Sequence, residues 1–482
     1  MRIYFLGIAG TAMGNLALLL RDQGHEVMGA DLAVYPPMSN LLVDAGIRIM
    51  EGYSVDRLRE LTPDLVVVGN AFSRGNEEVE FLLESRVIEF CSLPEALSRF
   101  ALSGRKNVVV TGTHGKTTTT AITAYLLEQS GIEPGYMIGG APLDPEKGWS
   151  NGRAESPFVI EGDEYDSAFF DKRSKFIHYQ PHVVIVNNLE FDHADIFRDL
   201  QDVKRTFAHL LRIVPRNGFV LANGDDENVM SLLPLGWTTV YTVGTGENCD
   251  LRIGDYRTES DGSSFELFWK GKLWLSVSWK MTGLFNARNA AMACLASALA
   301  LAGGNDPSSV SLTGLELFRG VKRRQQVRAN NRGITVIEDF AHHPTAIEEM
   351  LVALRSRHPR ARLIAAFEPR SNTSRLEIMK SRMVAALSKA DEVLIGAAKK
   401  SSVADVTIID TAAMAKSLQE QGTPALACEK NEDAQESLES RLGELLDSET
   451  ILVFLTNGSF GGAIEKVADF VTGSQKWDKV FE

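Results

Sequence analysis

Short apolar runs recur along the chain, separated by stretches with helical spacing. In the first hundred residues Ile3–Leu6, Glu26–Ala30 and Asp64–Gly69 read as buried strands. Strands alternating with helices predict a parallel sheet made of βαβ units. The stretch Ser98–Asn107 is polar enough to act as a connector, and Val108–Thr111 opens a second α/β region containing the strands Phe158–Ile160 and Val183–Val186. From Leu251 to Trp279 the pattern alternates residue by residue, with Asp261-Gly262 as a hairpin turn. An Ala-rich helix follows over Met281–Ala302, closed by Gly303-Gly304. Beyond the basic cluster Val321–Gln325, the strands Ile334–Ile337, Arg362–Phe367, Glu392–Ile395 and Ile451–Leu455 form a third module.

The expected fold is therefore α/β in three domains, with boundaries at 1–103, 104–320 and 321–482. The first is Rossmann-like, the second P-loop ATPase-like and the third again Rossmann-like. A length of 482 residues agrees, at roughly 150 residues per domain. One segment tests this reading. Ile3–Leu20 carries no charge over 18 residues, close to a membrane span. Gly7, Gly10, Gly14 and Asn15 interrupt it, so strand, turn and helix explain it better than a signal or anchor.

Composition narrows the function. With 50 Lys+Arg against 63 Asp+Glu, the net charge of −13 argues against bulk nucleic-acid or anionic-membrane binding. It leaves phosphate ligands open, because local loops hold those. Cys91, Cys249, Cys294 and Cys428 lie far apart without CxxC spacing, as expected for reduced thiols of a cytoplasmic protein.

The strongest chemical signal is Thr111-Gly-Thr-His-Gly-Lys-Thr-Thr-Thr119, between a strand and a helix. Gly112, Thr113, His114, Gly115 and Thr118 would wrap phosphates with backbone N–H groups. Lys116 can reach the β- and γ-phosphates, and the Thr117 hydroxyl can ligate Mg2+. Two residues separate Gly112 from Gly115, where Walker A has four, so a plain glycine turn with a threonine helix cap is the alternative. Acidic clusters close the next two strands, Glu161-Gly-Asp-Glu-Tyr-Asp166 and Glu190-Phe-Asp-His193. Ligands of open α/β sheets bind at such strand ends, so Glu161 and His193 are candidates to hold metal beside Lys116. Solvated strand-end charge is the alternative for the other acids. At the N-terminus Gly7-x-x-Gly10-x-x-x-Gly14, followed by Asp31, is compatible with a diphosphate at a helix start and equally with a structural turn.

Taken in order, TGTHGKTTT, E-x-D-E, N-x-x-x-D-H, FNARNA, VKRR and DFAHHP resemble the Mur ligase family, ATP-dependent amide-forming enzymes of bacterial cell-wall synthesis. The resemblance spans essentially the whole chain. It implies a UDP-sugar site at Gly7, Gly10, Thr11, Gly14, Asp31 and Ser73. It implies catalysis by Lys116, Glu161, His193 and Arg324, with Mg2+ on Thr117, Glu161 and His193. Asn286, Asn289, Arg324 and Asp339 would complete the ATP site after domain closure. Less specifically, it places peptide recognition at Arg370, Ser371, Asn372 and Asn457. The stretches 31–39, 164–173, 189–197 and 368–373 point, within the family, to a member that attaches a recycled muropeptide to UDP-N-acetylmuramate. The alternatives are a member adding single L-alanine and a non-ligating P-loop ATPase or sugar-nucleotide-binding regulator. Phe207 stands where other members carry a carboxylated lysine, so that modification is not expected. No nucleic-acid partner and no stable membrane insertion are expected.

Overall fold

The computed structural model describes residues 1–32, 34, 38–303, 305–398 and 407–473. Ala33 and residues 35–37 of the 31–39 stretch, and Gly304 of the helix stop, lie outside the described residues.

The first sheet is wholly parallel. Its strands run in the order Arg48–Glu51, Glu26–Asp31, Arg2–Leu6, Leu65–Val68 and Glu89–Ser92. The charge-free stretch divides as expected into the strand Arg2–Leu6, a turn at Gly7 and the helix Thr11–Asp22. Gly7 has φ +86°, and a Cβ there would lie 2.8 Å from the Phe72 ring, so only glycine fits the turn. The strands Arg48–Glu51 and Glu89–Ser92 have no apolar run to announce them. They are short edge strands that leave most side chains at least partly exposed.

Residues 98–107 are a connector only in part. Ser98–Leu102 continues the preceding helix and buries Ala101 and Leu102, because its apolar positions face the core. Asn107 is fully buried at the start of the next strand. Its NH2 group donates to the carbonyls of Leu102, Tyr179 and Gln180, which satisfies those buried N–H groups, while its side-chain oxygen has no hydrogen-bond partner.

The second sheet has ten strands. Asn107–Thr111 lies between Pro181–Val186 and Phe158–Glu161, parallel to both, so three adjacent carboxyl ends open on one side. The meander Leu251–Glu259, Gly262–Trp269 and Lys272–Trp279 extends the sheet antiparallel, with its hairpin turn as expected at 260–262. The helix Leu284–Leu301 is long and apolar enough to cross a membrane by length and composition, and most of it is buried. Its alanines and leucines belong to the same core as the helix Lys116–Gln129. Phe207 lies in the core, its ring edge-on to Phe176.

The third sheet runs Gln326–Asn331, Ile334–Asp339, Thr450–Leu455, Arg362–Phe367, Glu392–Ile395 and Ala425–Ala427, parallel except for its first pair. The three α/β units are tied together by specific bonds. Asn15 donates to the Ile138 carbonyl at 3.1 Å, and Trp149 donates to Asp22 at 3.2 Å. From the third unit, the Thr373 hydroxyl accepts from Ala194 N–H at 3.2 Å.

Candidate active site

The Thr111–Thr119 loop, the candidate phosphate loop, sits where the Asn107–Thr111 strand passes into the helix Lys116–Gln129. Gly115 caps that helix with φ +81°, and a Cβ there would come within 2.5 Å of both Asn187 Nδ2 and Asn289 Oδ1. The neighbouring strand end grips the loop. Thr113 N–H donates to the Asn188 carbonyl at 3.1 Å, and His114 N–H to Asn188 Oδ1 at 2.7 Å. The Lys116 ammonium folds back onto the Gly112 carbonyl at 2.7 Å and both Glu164 oxygens at 3.0 and 3.1 Å. Burial alone would lower the Lys116 pKa, but Glu164, Asp163 and Glu161 outweigh it and hold the ammonium above its ordinary value.

Glu164 also meets His193 Nε2 at 2.9 Å, so one buried carboxylate joins the loop lysine to the histidine. Burial would raise its pKa, yet Lys116 and His193 pull it below the ordinary range. His193 responds in the opposite sense: burial lowers it, and Glu164 with Asp192 raises it above an ordinary imidazole. Glu161 accepts from the Thr117 hydroxyl at 3.1 Å and from Gly139 N–H at 2.6 Å. Burial pushes its pKa up despite Lys116 and Arg324. A desolvated carboxylate beside a hydroxyl oxygen is the kind of hard donor set that fits Mg2+.

The third domain closes over this cleft. Asp339 is buried and accepts from Gln325 N–H and Ala341 N–H, each at 2.8 Å. Those bonds fix the turn that carries Arg324, whose guanidinium lies 4.6 Å from the Phe340 ring centre. Burial lowers the Arg324 pKa, while Asp339 and Glu161 oppose that shift. Thr345 and Arg382 both donate to Glu190 Oε2, at 2.9 and 2.6 Å.

Three family models match in succession: "Mur ligase family, catalytic domain" over residues 2–105, "Mur ligase middle domain" over 110–297 and "Mur ligase, glutamate ligase domain" over 323–455. The UDP-N-acetylmuramate–L-alanyl-γ-D-glutamyl-meso-2,6-diaminoheptanedioate ligase of Escherichia coli (strain K12) is 44% identical over 82% of this chain and 84% of its own. This chain belongs to the Mur ligase family. A solved murein peptide ligase of Psychrobacter arcticus 273-4 is 33% identical, with TM-score 0.70 over 98% of this chain and 99% of its own. A UDP-N-acetylmuramate–L-alanine ligase of Pelobacter propionicus (strain DSM 2379) is 32% identical over 82% of each chain.

Within this Mur ligase, the remaining candidates fall into two groups. Asn286 and Asn289 lie behind the phosphate loop. The Asn289 carbonyl accepts from Asn187 at 2.7 Å and Thr119 at 3.1 Å, while its amide donates to Asn286 at 3.3 Å. Both are buried, so they hold the loop in shape. Asn289→Ala would leave the buried Thr119 hydroxyl without its acceptor and Asn187 with only a long bond to the His114 carbonyl at 3.4 Å, and we expect it to cost about 1–3 kcal/mol in urea unfolding. Unchanged stability would mean that Asn289 does not support the loop.

The second group lies at sheet ends. Asp31 accepts from Ala9 N–H at 2.9 Å and Leu32 N–H at 2.8 Å, so its carboxylate braces the glycine turn. Gly10 caps the helix that begins at Thr11 and contains Gly14, and Ser73 follows Phe72 at the adjoining strand end. In the third domain Arg370 lies 3.8 Å from buried Glu368. Ser371 bonds Ser374 at 2.8 Å, and Asn372 accepts from Arg375 at 2.7 Å. The side-chain oxygen of Asn457 is buried without a hydrogen-bond partner.

Glu164, Asn187, Asn188 and Glu190 were not assigned roles from sequence. Glu164 and Asn188 belong to the E-x-D-E and N-x-x-x-D-H stretches and Glu190 to an acidic cluster, and each of the four lies just beyond a buried strand of the central sheet. Glu190 in particular gains its meaning from the third domain, more than 150 residues away in the chain.

Proposed function

We propose that this Mur ligase joins the tripeptide L-alanyl-γ-D-glutamyl-meso-diaminopimelate to UDP-N-acetylmuramate, using ATP and releasing ADP and phosphate. The likeness to the E. coli ligase carries the choice of substrate; the cleft joining Lys116, Glu161 and His193 supports the chemistry. Residues 1–103 bind the UDP-sugar, 104–320 bind ATP and 321–482 bind the peptide. Gly7, Gly10, Thr11, Gly14, Asp31 and Ser73 form the UDP-sugar end. Arg370, Ser371, Asn372 and Asn457 form the peptide end. With ATP and UDP-sugar as substrates and all four cysteines free, we assign the protein to the cytoplasm.

The lactyl carboxylate attacks the γ-phosphorus of ATP, giving an acyl phosphate and ADP. The alanyl amine then attacks the acyl carbon, and phosphate leaves from the tetrahedral intermediate. Such transfers ask the protein for positioning and charge neutralisation. Lys116 exchanges its Glu164 contact for the β- and γ-phosphates. Thr117, Glu161 and His193 would hold Mg2+, which supplies further neutralisation of phosphate charge when bound. Arg324 brings a second fixed cation from the third domain, held in place by Asp339. Closure of that domain keeps water from the acyl phosphate.

Phosphate release in the presence of ATP, Mg2+ and UDP-N-acetylmuramate tests this assignment. Release should require the tripeptide and remain at background with L-alanine alone. Dependence on L-alanine would instead identify the L-alanine-adding reaction, and no dependence on any amine would favour a regulator.

A further inference from the structure

Two imidazoles and a carboxylate converge beside the cleft, apart from Thr117, Glu161 and His193. They are His114 in the phosphate loop, Glu190 after the Pro181–Val186 strand, and His343 at the start of the helix Pro344–Arg357. One ligand atom from each lies within 4.8 Å of the others. His114 Nε2 is 3.4 Å and His343 Nδ1 is 3.7 Å from the same Glu190 oxygen, Oε1. A tetrahedral zinc ion with bonds of about 2.0–2.2 Å sets its ligands about 3.4 Å apart. The existing separations are therefore close to what such an ion requires.

The unmet bonding of the cluster is the second observation. His343 is 2% exposed, and neither of its ring nitrogens has a hydrogen-bond partner; buried His114 Nε2 has none either. Buried imidazole nitrogens are ordinarily satisfied. Thr345 and Arg382 occupy Glu190 Oε2, which leaves Oε1 turned to the two rings. Burial, aided by repulsion from His114, lowers the His343 pKa to about 3, so the ring is neutral and able to donate a lone pair.

We propose that His114, Glu190 and His343 form a binding site for a zinc-like divalent cation that staples the third domain to the phosphate loop. Imidazole donors favour Zn2+ over Mg2+, which prefers oxygen; this site offers two imidazoles to one carboxylate, whereas Thr117, Glu161 and His193 offer one imidazole to two oxygen donors. The proposal does not depend on which amine is ligated. A fourth coordination position remains for water or a substrate atom. Among the described residues, Glu95, Asp171 and His178 form another such group, but there His178 already bonds Asp171 at 2.9 Å.

The test uses the full chain with excess Mg2+ and no nucleotide. Co2+ serves as the spectroscopic probe, and Zn2+ is titrated calorimetrically. One ion per chain should bind, giving a tetrahedral Co2+ absorption band and a raised melting midpoint with Zn2+. His343→Ala and Glu190→Gln should each weaken binding by more than about 100-fold, beyond the loss seen for residues that only support ligands. If His343→Ala fails to fold, the milder Glu190→Gln decides. His178→Ala and Glu161→Gln should leave the band in place. Absence of the band from the unaltered chain, its survival in either folded cluster variant, or its loss in either control would overturn the proposal.

Discussion

Replacing Lys116 with alanine is expected to lower kcat by about three orders of magnitude while UDP-N-acetylmuramate still binds. Removing one preorganised group that neutralises transition-state charge costs about 10²–10³ in rate. Lys116 stands at the upper end of that range because it carries a full charge and its surroundings are largely buried. The variant also removes one of Glu164's two partners, so some loss of stability is expected; the remaining bond to His193 at 2.9 Å limits it. UDP-sugar binding, measured calorimetrically, separates the two effects because the glycine turn at Gly7 belongs to another sheet. Turnover within tenfold of the unaltered enzyme would contradict the role given to Lys116. Loss of both turnover and UDP-sugar binding would show that the two nucleotide sites have been misassigned.

Glu161→Gln is the second substitution with a large expected effect. The two bonds fall on different oxygens, so a glutamine keeps its oxygen for Gly139 N–H while its amide donates to the Thr117 hydroxyl oxygen, and the local contacts survive. The negative charge does not. At saturating substrate we expect a loss of about 10²–10³ in kcat, the scale on which transition-state electrostatics act. The Mg2+ concentration needed for half-maximal phosphate release should rise at the same time. An unchanged Mg2+ requirement would remove Glu161 from the metal site. A fall in melting midpoint with normal turnover would make it a structural residue.

Much of this site is written locally in the chain. The Thr111–Thr119 loop is legible because a strand, a glycine turn and a helix start with Lys116 and Thr117 follow one another directly in the chain. The meander after Leu251 is legible because one face of each strand is buried, which enforces alternation. Elements lacking such a local requirement are harder to read. Arg48–Glu51 and Glu89–Ser92 are held by backbone pairing at the two edges of their sheet, so their side chains need not be apolar. Ser98–Leu102 looked polar because Ser98 and Arg99 mask the buried Ala101 and Leu102.

The same distinction applies to the site residues. Asp31 stands out in the sequence only as an acid that follows a strand, and folding sets its carboxylate against the Ala9 and Leu32 N–H groups of the glycine turn. Asn286 and Asn289 stand out in the sequence as a motif, but their burial and the bonds of Asn289 to Thr119 and Asn187 arise only when their helix packs against the rest of the central unit. Glu164 was one acid among several beyond its strand. Its importance comes from Lys116 and His193, which reach it from two other segments. Arg324 is the converse case: a basic cluster marks the junction, and folding half-buries this arginine close enough to Glu161 for their charges to interact.

The central claim concerns the amine that this site accepts. The most direct measurement is the mass of the UDP-linked product formed from UDP-N-acetylmuramate, ATP and Mg2+ with L-alanine and the tripeptide present in equal amounts. The account predicts a product heavier by the whole tripeptide residue, with the L-alanine adduct at background. A product carrying L-alanine alone would contradict it.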